Sequence, residues 1–300
     1  MPLPDDPHDQ PEAFFRGHPP GLAVCFSVEL WERFSYYGMR ALLVFYLTKH
    51  FRFSDADSYL IYGAYTAMVY MTPVIGGVLA DRYLGARKAV TLGALLLVLG
   101  HFGMTIEGPA AMAGASTDGL SGFYINAFFL SLALITTGVG FLKTSTSTLV
   151  GALYAPGDPR RDAGFTIYYM GINIGAAAAP LLCGWLGQTY GWRYGFGAAG
   201  VGMLVGLVGF LYGQRWLMGR AEPPPSARLR ERTPLGVRRE TALYAAALLV
   251  VGALWFILTH RRWSAPCSPP SVSSSRSSFC TTRSHAARRS SAIACSSVAC

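Results

Sequence analysis

The run Glu29-Leu30-Trp31-Glu32-Arg33-Phe34-Ser35-Tyr36-Tyr37-Gly38-Met39-Arg40 sits inside an otherwise apolar stretch from 21 to 48, and its reading decides the fold. A helix of that apolar length crosses a bilayer, and at membrane depth each ionised side chain costs about 2.5 to 3.5 kcal/mol unless it faces a bundle interior or a water-filled cavity. Side chains on a helix advance by about 100° per residue, so Glu29, Arg33, Tyr37 and Arg40, spaced four, four and three apart, share one face. That face must look inward, against other helices. Glu29 and Arg33 can pair one turn apart, and a carboxylate beside an arginine can exchange its proton when the arginine is diverted to a ligand. A purely structural ion pair is the alternative; two glutamates and two arginines within twelve residues weigh toward function.

Working outward, the composition agrees with a membrane setting. Hydrophobic residues make up 52% of the 300 and charged residues 14%, below the roughly 25% usual for a soluble globule. The formal net charge of +9 lies in short basic clusters between apolar runs, which speaks against nucleic-acid binding. Apolar segments predict spans at 21–48, 58–80, 88–107, 121–152, 163–188 and 193–217, with a weaker seventh at 241–260. The expected fold class is an all-α polytopic helical bundle. Small residues such as Gly76-Gly77, and Gly171, Gly175 and Ala179, let helices approach closely.

Lysine and arginine are asymmetric across the loops. One set holds Arg82, Arg87 and Lys88, then Arg160 and Arg161, then Arg215, Arg220, Arg228, Arg230, Arg232, Arg238 and Arg239; the other holds Lys49, Arg52 and Arg193. Positive residues stay cytoplasmic, so the amino terminus is expected there. Asp5, Asp6, Asp9 and Glu12 oppose a signal peptide. The expected organisation is a cytoplasmic segment 1–20, a bundle 21–217, a basic linker 218–240, an extra helix 241–260 and a low-complexity tail 261–300. That tail is rich in Ser, Arg and Cys and changes abruptly after Trp263, which reads as a shifted frame or a naturally encoded disordered segment. The cysteines have no metal-ligand spacing, and no His-Glu-x-x-His, Gly-x-Ser-x-Gly or phosphate loop is present. No enzyme, metal or cofactor is implied. His101, alone well inside a span, is expected to be packed and satisfied.

The opening run resembles the Glu-x-x-Glu-Arg signature of the proton-dependent oligopeptide transporters, a branch of the major facilitator superfamily. Colinear matches continue over roughly 20–217. Tyr70-Met-Thr-Pro73 through Asp81-Arg82 and Arg87-Lys88 resembles the superfamily's loop motif; Gly138-Val-Gly140-Phe-Leu-Lys143 resembles the segment carrying a substrate-site lysine; Phe165 through Tyr168-Tyr169, Asn173 and Gly175 resembles a second family signature. The lysine is followed here by Thr144 where proline is common.

The resemblance implies one six-span half of a major facilitator fold. It implies proton coupling through Glu29, Glu32 and Arg33, and peptide binding through Arg33, Tyr37, Arg40, Tyr70, Lys143 and Asn173. It also implies a conformational latch of Asp81, Arg82, Arg87 and Lys88. Each has a bland counterpart: an ordinary positive-inside loop for the latch, snorkelling for Lys143, an interhelical hydrogen bond for Asn173. The implied function is proton-coupled symport of di- and tripeptides across the inner membrane, with small peptides and lipid as partners and protons as coupling ion. The alternative is a truncated, non-transporting half or an assembly partner. A missing carboxy-terminal half or a second copy would be needed for transport.

Overall fold

The structure, a computed structural model, describes residues 17–108, 120–217, 219, 222, 229 and 238–260. Residues 1–16 of the expected segment 1–20, most of the linker and the tail 261–300 lie outside the described residues. The described residues form seven α-helices: α1 (Gly21–Lys49), α2 (Asp55–Leu79), α3 (Ala86–Gly103), α4 (Leu120–Ala152), α5 (Arg161–Thr189), α6 (Trp192–Gly213) and α7 (Arg239–His260). Each begins and ends within a few residues of an apolar segment in the sequence.

Local chemistry sets the boundaries. Ser54 caps α2, its hydroxyl accepting from the Asp57 amide at 3.1 Å, while Asp55 and Asp57 place negative charge in the first turn. Past Leu79 the helix widens into a π-turn over Ala80–Leu84, closed by the Gly85 amide donating to the Ala80 carbonyl at 2.8 Å. Gly85 has φ 74°, a left-handed conformation that lets the chain restart at once as α3. Within α4 the hydroxyls of Thr136, Thr137, Ser145 and Thr146 donate to carbonyls four residues back at 2.7–2.9 Å, so these polar side chains cost little at membrane depth.

The packing is layered around α1, which lies against α5 and α6, while α4 carries α2 and α3. Close approaches need glycine. A Cβ on Gly76 would stand 2.3 Å from the Gly140 carbonyl oxygen, and one on Gly175 would stand 2.3 Å from the Leu30 carbonyl oxygen. Backbones meet directly at the α2–α4 and α1–α5 crossings.

Among the described residues, six helices are long and apolar enough to cross a membrane: α2 through α7, two of them with their continuing turns. The chain is a multi-pass membrane protein. Two details differ from the sequence expectation. Helix α1 has the length, 29 residues, yet its charges keep it out of that set, and it is the most enclosed helix. Helix α7, expected to be the weakest span, is the most apolar of the six and the least covered by protein.

Candidate functional site

The charges of α1 point into the bundle, as the cost of exposing them to lipid requires. Glu29, Glu32 and Arg33 are 2%, 0% and 6% exposed. Arg33 stands between the two carboxylates: its Nε and Nη2 donate to both oxygens of Glu32, and Nε lies 3.4 Å from Glu29 Oε1. The second Glu29 oxygen accepts from the Tyr168 hydroxyl of α5 at 2.8 Å. Gly175, two turns beyond Tyr168, lets α5 pack this closely, because its Cβ position is 3.2 Å from the Arg33 Cβ. The guanidinium also sits over the Tyr36 ring at 5.3 Å.

Two further cations flank this core on half-buried positions. Arg40 donates through Nε to the Tyr62 hydroxyl and lies over the Tyr62 ring at 5.3 Å. Lys143 places its Nζ 5.2 Å from the Tyr70 ring centroid and lies within electrostatic reach of Glu29, Glu32 and Arg33. It stands nine residues before Ala152, where α4 ends, too deep for its ammonium to snorkel to water along α4. Tyr37 is half-buried and meets Tyr36 edge to face at 5.2 Å. The Tyr36 and Tyr65 hydroxyls are buried with no protein partner.

The sequence-predicted residues thus divide. Glu29, Glu32 and Arg33 form one connected cluster; Arg40, Lys143, Tyr37 and Tyr70 border it. Asn173 is exposed on α5 and makes no hydrogen bond to a neighbouring helix among the described residues. The predicted latch looks different in detail. Asp81 and Arg82 are exposed in the π-turn, whereas Arg87 pairs with Glu222 at 3.0 Å and Lys88 with Glu240, so the basic pair is held by the linker and α7. His101 is fully buried, but both ring nitrogens lack a protein partner, so it is packed without being satisfied. Tyr62 and Tyr168 were not read as site residues. Only the bond each makes across 22 and 139 residues reveals them, a contact that periodicity cannot show.

The bundle, of membrane-crossing length with its ionised groups drawn inward around one arginine, has the fold of half of a solved membrane transporter. Residues 87–229 match the PTR2 model of the POT family. The chain is 42% identical over 188 residues to the peptide transporter YePEPT of Yersinia enterocolitica subsp. palearctica, covering 61% of this chain and 34% of that protein. It is 40% identical over 192 residues to a di-/tripeptide transporter of Lactococcus lactis subsp. lactis, covering 62% and 36%. A crystal structure of the peptide transporter POT in complex with sulfate superposes with a TM-score of 0.68 at 40% identity, covering 86% of this chain and 50% of that one. Over these residues the chain is similar to the POT family and to its peptide transporters. It spans about a third of the length of these curated relatives and half of the solved transporter.

Proposed function

We propose that this bundle is the amino-terminal half of a proton-coupled symporter of di- and tripeptides, with its amino terminus on the cytoplasmic face of the inner membrane. The observation that carries the reading is the buried Glu29–Arg33–Glu32 cluster, with Arg40 and Lys143 beside it. A peptide is a zwitterion, so a cavity needs cations for its carboxylate and acceptors for its amino group. Arg40 and Lys143 have aromatic partners and no carboxylate partner among the described residues, which leaves them able to take a ligand carboxylate. Arg33 is enclosed between two glutamates. Protonation of Glu32 removes one of its anchors and frees the guanidinium to turn toward a ligand; loss of that proton draws it back. Proton entry and peptide binding then share one side chain. Protons are the coupling ion, and no other cofactor enters the scheme. Tyr37, Tyr70 and Asn173 supply polar or aromatic contacts around the ligand.

A second reading is that the chain alone is a non-transporting half. It is favoured by the apolar side chains that α2 and α5 leave exposed, among them Tyr70, Met71, Val74, Tyr169 and Leu181. Alternating access rocks one bundle against another around a shared site, and these faces need such a counterpart. Uptake of a labelled dipeptide into proteoliposomes under an inward proton gradient tests both. The chain by itself is expected to insert without concentrating peptide; joined to a carboxy-terminal half it is expected to accumulate peptide in a protonophore-sensitive way. In that joined protein Glu32→Gln is expected to abolish accumulation while sparing peptide exchange. Accumulation unchanged by Glu32→Gln would remove Glu32 from coupling.

A further inference from the structure

We propose that the basic end of the bundle carries a binding site for one anionic phospholipid, between α3, the end of α6 and the first turns of α7. A cleft of about 470 Å³ lies there, rimmed by Arg87, Lys88, Gln214 and Tyr244 and floored by Leu92 and Leu95. Its polar rim stands at the first turn of α3, where the stretch long and apolar enough to cross a membrane begins. Below it, Leu95, Leu99 and Phe102 are 46%, 52% and 37% exposed and recur every three to four residues, so they form one apolar track along α3 into the bilayer.

The charge balance selects the headgroup. The described residues of this end include Arg82, Arg87, Lys88, Arg215 and Arg238 against Asp81, Glu222 and Glu240, so cations remain in excess after Arg87 pairs with Glu222 and Lys88 with Glu240. Both pairs are partly exposed, at 37% and 47% for the first and 27% and 31% for the second, and a phosphate can compete for their cations. A guanidinium and an ammonium side by side suit a phosphodiester, and basic pockets between membrane helices on the positive side take acidic headgroups. A free phosphate would use the cations and leave the leucine track without purpose. A lipid uses both, and in doing so it bridges α3 to α7, the helix with least protein cover.

The test is native mass spectrometry of the whole purified chain, delipidated in detergent and offered phosphatidylglycerol and phosphatidylcholine of equal acyl length. Phosphatidylglycerol is expected to be retained about tenfold over phosphatidylcholine, since each well-placed cation is worth about fivefold and the two are partly screened by their own glutamates. The double variant Arg87→Ala/Lys88→Ala should bring the ratio near one. Arg193→Ala, at the opposite end, should leave it unchanged. Glu240→Gln frees Lys88 and should raise retention, which decides the matter even if the double variant fails to fold. Equal retention of the two lipids by the unaltered chain overturns the proposal, as does unchanged or weaker retention in Glu240→Gln. Displacement of phosphatidylglycerol by millimolar inorganic phosphate would make this a simple phosphate site and overturn it too.

Discussion

The Glu29 carboxylate is shared between Arg33 of its own helix and Tyr168 of α5, and each partner has a separable effect. Hydrogen bonds to a buried charged acceptor contribute about 1.5 to 3 kcal/mol, so Tyr168→Phe should lower stability by about 2 kcal/mol, read as a drop in thermal midpoint in detergent. Phe165→Tyr, one turn earlier and half-buried, should not reproduce it. At the basic end, Asp158 accepts from the Arg160 amide and guanidinium while Arg160 donates to the Gly17 carbonyl at 2.6 Å, tying the α4–α5 loop to the entry of α1. The Arg160 side chain, by hydrogen bonding, holds the Asp158 carboxyl below its ordinary range. A depressed acid stabilises the fold fully above its unfolded value, about 3.9, and loses that contribution as pH falls through the lower folded value. The loop should therefore resist limited proteolysis at neutral pH and at pH 5, and open below about pH 4. Asp158→Asn should make cleavage pH-independent over that window. The cluster on α1 was legible because its members lie within one sequence window; Tyr62 and Tyr168 were not, because a hydroxyl found by folding leaves no local pattern.

Elements were legible wherever a single physical demand sets their length. Membrane thickness fixes α2 through α7 to apolar runs, and the turns between them fall at Ser54, Gly85 and Gly191. The π-turn over Ala80–Leu84 was not legible, since an i to i+5 bond needs no residue type of its own. The partners of Arg87 and Lys88 were missed for another reason: a basic loop reads the same whether its charges meet water, Asp81, or acids 135 and 152 residues away. Close crossings make a sharper forecast. Gly175→Ala forces a methyl against the Leu30 carbonyl oxygen and should cost about 1 to 3 kcal/mol, whereas Gly184→Ala on the same helix meets nothing within 4 Å and should be neutral or slightly stabilising. Thermal unfolding of the pair separates contact from helix propensity; equal effects would mean that α1 and α5 do not meet at Gly175.

Across the whole molecule, the ends of the helices sort into two sets. His18 meets Tyr154, and Lys88 meets Glu240, at the basic end; His50 lies 3.5 Å from Glu107, whose other oxygen accepts from the Arg193 amide, at the opposite end. A cysteine at exposed Pro159 should react with an impermeant reagent only from the cytoplasm, and one at Arg193 only from the other side, with the native tail cysteines replaced. Labelling of both from one side would contradict the arrangement. The enclosure of α1 also bears on how the protein is made. Helix α1, which carries the charges, leaves the ribosome before α5, and the tyrosine that covers one of them follows 139 residues later. At about 5 to 20 residues per second, α1 waits on the order of ten seconds before α5 exists. During that interval each ionised group left facing lipid would cost about 2.5 to 3.5 kcal/mol, so α1 is expected to linger beside the insertion machinery until its late-born neighbour arrives.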